Sequence, residues 1–301
     1  MDKKTPNLGW LFYKDYYSHL ESSFRKEPGK KPKDLPLDLK NKNDVIIGQT
    51  LGGYSSAELR SDLTNSSFPA TIKYPGLMVG LGAQHSIGHE EEVKLGFTFD
   101  HTTGLPYLPA SSVKGLLRSY FPSRLRAAAS DTKRPESERK ALKKKADRLL
   151  VLMNRFLFPK SDLSCELSEA DLEKLERHIF EGVLPEDGQT HESVYLRDIF
   201  FDAFPVSTEY KGSGSKDNGR FIGFGAITPH GANPLKNPIP LRFLKVLPGV
   251  VFQFQFRLFD SQVGNVKVST FHKFQLFQQI ITHFGIGAKT NVGYGRVERK
   301  T

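Results

Sequence analysis

Apolar and polar positions along this chain follow two different periods. Leu8, Phe12, Tyr16 and Leu20 recur at helical spacing behind Asn7, a good capping residue, so a helix is predicted over 7–20. From Arg25 to Asp44, Lys, Pro and Asp dominate without period, which reads as a mobile linker over 25–44. From about Ile72 the pattern becomes that of a sheet. Leu77 to Leu81 is a short apolar run, and Val93, Leu95, Phe97 and Phe99 alternate with Lys94, Gly96 and Thr98, the period of a half-buried strand. A helix is then predicted within 108–120, capped by Ser111 or Ser112, with Val113, Leu116, Leu117 and Tyr120 as its apolar stripe and Pro122 closing it.

Residues 131–185 read as a helical block. Leu142, Ala146, Leu149, Met153 and Phe156 keep helical spacing. A further helix starts at Ser168, with Asp171 in the capping-box position and Leu172, Leu175 and Ile179 on one face. Sheet character returns at Ile199 to Asp202. It is clearest where Phe252, Phe254, Phe256 and Leu258 alternate with Gln253, Gln255 and Arg257. Phe274, Phe277, Ile281 and Phe284 then mark a helix that stops at Gly285, followed by a glycine-rich loop and a last short strand. This order predicts an α+β fold, an antiparallel sheet with helices on one face. A ferredoxin-like (βαββαβ) core with a helical insertion at about 123–190 fits it best.

Composition narrows the function. At 301 residues and 38% hydrophobic, the chain has the material for a real core, as one large domain or two small ones. No apolar run approaches the roughly 20 residues that cross a bilayer, and no signal-type stretch follows Met1-Asp2-Lys3-Lys4. Cys165 is the single cysteine, which excludes an internal disulfide and a multi-cysteine zinc site. A cytoplasmic protein with no membrane partner is expected. The net charge of +10 favours a polyanionic partner, RNA or DNA first.

Several segments are candidates for chemistry. Residues 285–296 contain Gly287-Ala288-Lys289-Thr290, which raises a nucleotide-binding P-loop. That motif needs glycines at 283 and 288, where the chain has His283 and Ala288, and it follows a strand rather than a helix. What remains is a loop whose Gly285, Gly287, Gly293 and Gly295 let backbone N–H groups approach a phosphate chain, with Lys289, Asn291 and Arg296 adding charge and hydrogen bonds. The competing reading is a turn that only packs a helix on a sheet.

The helix start at Ser111–Ser112 offers free N–H groups to an anion, with Lys114 and Arg118 on one face; taken alone, an ordinary capped helix with a solvated basic face is the simpler account. Residues 131–148 hold eight basic side chains against four acidic ones, either an attraction for RNA or a wet helix face. His85 and His89 before Glu90, Glu91 and Glu92 have metal-pair spacing only on a helix, and Gly88 argues against one. His85 or His101 could serve as a general base toward a ribose hydroxyl, or simply hydrogen-bond in a loop. No carboxylate cluster suits a two-metal nuclease, and no cofactor is expected. The polar segment 209–220, with Tyr210, Lys211, Lys216 and Arg220, reads as an RNA-reaching finger or a plain surface loop.

Five strings together resemble the RAMP superfamily of CRISPR-associated proteins. They are Gly80 to His85 with Phe97 to His101; Leu105 to Gly115; Ile199 to Pro205; Ile227 to His230 followed by Pro238 to Pro240; and Gly285 to Arg296. The Thr-Pro-His and Phe-Phe-Asp-Ala strings, in this order, are similar to subunit six of the type III-B (Cmr) RNA-guided effector complex. Ala110 departs from the glycine usual before the serines, and Gly231 from the aromatic that often follows the histidine. The resemblance implies a single RAMP domain over 1–301 with an RNA-recognition-like (RRM-like) core. It implies a non-catalytic subunit near the 3′ part of a CRISPR guide RNA, with target RNA nearby. Its expected partners are the backbone RAMP subunit of a filament, a small helical subunit and a neighbouring RAMP capping subunit. The RNA-contacting residues expected are Ser111, Ser112, Lys114, Arg118, Gly285, Gly287, Lys289, Asn291, Gly293, Gly295, Arg296 and His85. The alternative is a metal-independent endoribonuclease that processes repeat RNA.

Overall fold

The computed structural model describes residues 6–18, 31, 38–53, 63–80, 89, 91–93, 97–159, 166–182, 197–211, 214, 218–227 and 241–300. Helix α1 (Leu8–Tyr13) begins as its spacing predicts, with the Asn7 side chain accepting from the Trp10 N–H at 2.9 Å. A 3-10 turn, Asp15–Tyr17, follows it, and Leu20 lies outside the described residues. Leu8, Phe12 and Tyr16 are buried. Part of the expected linker is helical instead. Helix α2 (Leu39–Ile47) buries Leu39, Asn43 and Ile46. The Tyr16 hydroxyl donates to Asn43 Oδ1 at 3.0 Å and accepts from the Val93 N–H at 3.1 Å. That polar contact needs a fixed partner, which is why the end of a lysine-rich stretch folds.

The main sheet is antiparallel and five-stranded. Strands β2 (Ile199–Phe200), β6 (Val250–Arg257), β1 (Ser66–Ile72) and β9 (Val297–Arg299) lie side by side in that order, and β3 (Phe204–Thr208) also pairs with β6. Phe254 faces Phe68, Phe252 faces Ala70 and Phe256 faces Phe200, so these side chains share one face. Helix α7 (Thr270–Phe284) lies on that face. Its Phe274 meets Phe68 at 5.9 Å, and its Phe277 meets Phe256 at 5.4 Å and Phe200 at 5.6 Å. Each such buried ring contributes about 1.5–3 kcal/mol. Ser269 caps α7, and Gly285, at φ 77°, ends it where the sequence predicts the stop. The opposite sheet face carries Ser67, Gln253 and Gln255, which are half-buried or exposed.

Helices α3 (Ala110–Ser119), α4 (Ser123–Ser130), α5 (Glu136–Leu157) and α6 (Glu169–Phe180) precede β2. Ser168 caps α6 by accepting from the Asp171 N–H at 3.1 Å. Two hairpins complete the chain, β4 (Ile222–Ile227) with β5 (Leu241–Val246), and β7 (Ser261–Val263) with β8 (Val266–Val268).

Three expectations change. Strand β1 has no clean signal in the sequence, because Pro69 interrupts it. The alternating segment that ends at Phe99 forms no regular strand among the described residues; Phe97 and Phe99 are buried, and Phe99 only bridges to Pro106. Neither Ser111 nor Ser112 caps α3; the N-cap position is Pro109. Among the described residues no helix is long and apolar enough to cross a membrane.

Candidate nucleic-acid interface

The start of α3 is built from two distant strings. Leu108 and Ala203 exchange two backbone hydrogen bonds at 2.9 Å, which brings the end of the Phe-Phe-Asp-Ala string against the Pro-Ala-Ser-Ser turn. Asp202 Oδ1 then accepts from the Ala110 N–H at 2.6 Å. A carboxylate at a helix N-terminus satisfies an orphan donor and the local dipole at once. The cap predicted for a serine is therefore supplied by Asp202, and the hydroxyls of Ser111 and Ser112 are left exposed.

The glycine loop is shaped mainly by contacts with its own protein. Ile286 N–H donates to Gly295 O at 2.9 Å, Gly295 N–H to Gly76 O at 2.8 Å, and Ala288 N–H to Met78 O at 3.1 Å. A Cβ on Gly295 would stand 1.8 Å from Ile286 O, one on Gly285 2.7 Å from Gly295 O, and one on Gly287 2.6 Å from Met78 O. All three have positive φ. The expectation that these glycines clear the way for a phosphate is thus corrected. They clear the way for neighbouring backbone. Gly293 differs, because its φ of 97° needs glycine while a Cβ there would meet only Pro75 at 3.7 Å.

At the crown of this loop Lys289 adopts φ 62°, and among the described residues it is the one non-glycine residue with positive φ. That conformation costs a residue with a Cβ roughly 1–2 kcal/mol. Lys289, Asn291 and Arg296 are exposed, and among the described residues Lys289 and Arg296 meet no carboxylate.

The two elements meet. Ser111, Ser112 and Leu116 of α3, with Leu108 and Pro109 before it, form one wall of a groove of about 660 Å³. Ile286, Gly287 and Ala288 form another, and Met78, Val79, Gly80, Thr98 and Tyr107 complete it. Tyr107 stacks on Phe204 at 5.6 Å. Burial pushes its hydroxyl above the usual phenol value, helped by the Asp202 and Asp100 carboxylates, so it stays a neutral donor. A groove with hydroxyls, bare backbone and an aromatic ring, whose lining residue Ala288 is followed by the exposed Lys289, suits a chain of phosphates and sugars better than an isolated charge.

Other predicted site residues lie elsewhere. Lys114 Nζ donates to Phe180 O at 2.8 Å, and burial, then the charges of Arg197 and Arg118, push its amine below the usual lysine value. Arg118 Nε meets Glu176 Oε1 at 2.9 Å, its Nη2 binds Glu181, and its guanidinium lies 5.7 Å from the Phe180 ring centre. Both side chains fasten α3 to α6 and do not line the groove. His85 lies outside the described residues. His89 accepts from the Glu91 N–H at 3.2 Å, and Glu91 pairs with Arg242 at 2.6 Å. His101 is exposed, and its carbonyl accepts from Asn7. Among the described residues no three His, Cys, Asp or Glu side chains gather as a metal site. Sequence reasoning missed Tyr107, Thr98 and Asp202. All three sit inside strings that it had singled out.

No curated protein matches this chain. Solved structures do. The chain is similar to one in the type III-B Cmr-beta complex bound to cognate target RNA, solved by cryo-electron microscopy. That match has 18% identity and a TM-score of 0.53, over 99% of this chain and 93% of that one. At that identity the likeness shows a shared fold. The chain is also similar to Cmr6 from Pyrococcus furiosus (21% identity, 78% and 97% covered, TM-score 0.40). A third similar chain comes from a type III-A Csm-crRNA-target RNA ternary complex (13%, 64% and 64%, TM-score 0.30). The family model for the RAMP superfamily matches residues 45–298, from α2 to β9 and across both walls of the groove, and the chain belongs to that superfamily.

Proposed function

We propose that this protein is a non-catalytic, guide-RNA-binding subunit of a type III-B CRISPR effector complex. On this reading the RNA backbone lies in the groove between the α3 start and the glycine loop, near the 3′ part of the guide and with target RNA close by. Ser111, Ser112, Lys289, Asn291, Gly293 and Arg296 contact it. Gly285, Gly287 and Gly295 hold the loop's shape, and Lys114 and Arg118 hold α3. The sheet with α7 across it is read as a ferredoxin-like, RRM-like core, and α4 to α6 as the helical insertion of a single RAMP domain. The backbone RAMP subunit, a small helical subunit and a RAMP capping subunit are the protein partners that the family resemblance brings.

The observation that carries the reading is the shared groove. Two strings 170 residues apart, each a candidate phosphate contact in the sequence, form walls of one cleft. The strained Lys289 at its edge adds support, since backbone strain concentrates at functional positions.

The test is RNA binding across a salt series. Lys289→Glu with Arg296→Glu is expected to weaken guide-RNA binding and to lower the log–log salt slope by about 1.4, at ~0.7 per phosphate contact. Lys289→Gly is the companion variant. It relaxes the backbone, so it should melt no lower than wild type while losing about 0.7 of slope. Unchanged slopes in both variants would leave the loop a purely structural turn.

A further inference from the structure

The longest helix carries more positive charge than its acids answer. α5 holds Glu136, Glu138 and Asp147, and each is already engaged: Glu136 with Lys140 at 2.7 Å, Asp147 with Arg126 at 2.6 Å, and Glu138 with Arg134. Lys144, Arg148 and Arg155 are exposed and, among the described residues, meet no carboxylate. With Lys140 and Val151 they fall within about 80° around the helix axis, opposite the buried Leu149, Met153 and Phe156. About 6 Å of axis separates Lys140 from Lys144, and Lys144 from Arg148. A row of cations at such intervals matches a polyanion.

The row ends on a cavity. Arg155 and Phe156 of α5, with Gln275, Gln279 and His283 of α7, line a space of about 390 Å³. The two glutamines and His283 recur every four residues, so they form one row on α7, a helix with no acidic residue. The His283 ring lies edge-on to Phe156 at 5.7 Å. Amide side chains offer both a donor and an acceptor to a base edge, and the guanidinium and imidazole offer flat faces to a ring. An acidic protein would use the cation row and leave this cavity without a role. Ile286, which lines the groove described above, is three residues beyond His283, so cavity and groove flank the same C-terminal turn of α7.

We propose that α5 and this cavity form a second contact for single-stranded RNA, with phosphates on Lys144, Arg148 and Arg155 and one unpaired base held among Arg155, Gln279 and His283. The site rests on the reading above for its ligand, RNA, and not for its location.

The experiment compares two variants with wild type, Lys144→Glu/Arg148→Glu/Arg155→Glu and Gln279→Ala/His283→Ala. All five side chains are exposed, so unchanged melting curves serve as the folding control. Fluorescent single-stranded RNAs of about 4 and about 16 nucleotides serve as probes. The triple variant should bind the short RNA like wild type, lose the affinity gained with length, and show a salt slope lower by about 2 on the long RNA. A single abasic position moved along the long RNA should weaken wild-type binding about tenfold at one place, and that loss should vanish in the Gln279/His283 variant. A triple variant that keeps both the length gain and the slope overturns the proposal, as does a flat abasic scan or a stripe whose reversal abolishes only an acidic protein's binding. Loss of short-RNA binding in the Lys289/Arg296 variant tests the groove separately. A wild-type protein that binds no RNA overturns both.

Discussion

At the scale of single residues, the most consequential interaction outside the groove is a buried ion pair. Lys273 of α7 donates to Asp198 Oδ2 at 2.9 Å and Oδ1 at 3.1 Å, and neither side chain reaches solvent. Asp198 also accepts from the Phe259 N–H at 2.8 Å. Burial pushes the Asp198 carboxyl up to about 6 against the pull of Lys273, and burial pushes the Lys273 amine down. An acid whose pKa rises on folding contributes stability that is whole below its unfolded value of about 3.9 and is lost as the pH climbs through about 6. At pH 7 the carboxylate therefore depends on its lysine. Lys273→Met should cost about 3–5 kcal/mol at pH 7, because it strands a buried charge. The cost should shrink at pH 5, where the unpartnered carboxyl protonates instead. Urea unfolding of both proteins at the two pH values checks this, and an equal loss at both would refute the coupling. Nothing in the local sequence announces this pair, since Lys273 sits in a helix that reads as amphipathic and Asp198 at the edge of a strand only two residues long.

Elements were legible in the sequence where one local force decided them. α7 is the clearest case, with its apolar stripe and its glycine stop both set by neighbours within a few residues. The glycine loop was legible as a place of positive φ, but the reason for it was not. Gly285, Gly287 and Gly295 are required by carbonyls of Gly295, Met78 and Ile286; two of these contacts join residues about ten apart within the loop, while the third comes from a separate segment. β1 was hidden because Pro69 breaks a pattern that the pairing with β6 restores. The cap of α3 illustrates the limit best. Serine is as good a cap as aspartate, so Ser111 or Ser112 was a sound local expectation. Asp202 takes the role from 92 positions away because the Leu108–Ala203 bridge delivers it there. Asp202→Ala should therefore lower stability by about 1 kcal/mol and loosen the groove wall that carries Ser111 and Ser112. Hydrogen exchange is the direct readout, with faster exchange expected at Ala110 and Val113. Unchanged protection there would mean that α3 is held by its Lys114 and Arg118 clamps alone.

Across the whole molecule, the abundance of phenylalanine, 23 residues, finds its use as a connected path rather than as scattered filling. Phe121 meets Phe180 at 5.6 Å, Phe180 stacks on Phe200 at 5.7 Å, and Phe200 meets both Phe256 and Phe277. Phe68 continues the path through Phe254 at 5.2 Å. The path runs from α6 and the segment after α3, through β2, to the centre of the sheet and α7. The buried apolar residues of α5 and α6, Met153, Leu157, Leu172, Leu175 and Ile179 among them, belong to the same cluster as those of the sheet. The sequence shows this helical block as a change of period and cannot say whether it has a core of its own, because burial is decided by partners far along the chain. A shared core predicts shared unfolding. Wild type should lose Trp10 fluorescence, a reporter in α1, and far-UV helix signal in one coincident transition. Phe180 is the link to cut, since it is 2% exposed and touches both sides. Phe180→Ala should cost about 3–5 kcal/mol. It should also split the transition, with the helix signal of α5 and α6 lost at lower denaturant than the Trp10 signal. If the two probes stay coincident while stability falls, the contact is one of many and the block is bound to the sheet along its whole length. If they are already separate in wild type, the helices and the sheet fold as independent units, and the groove at α3 would lie on the seam between them.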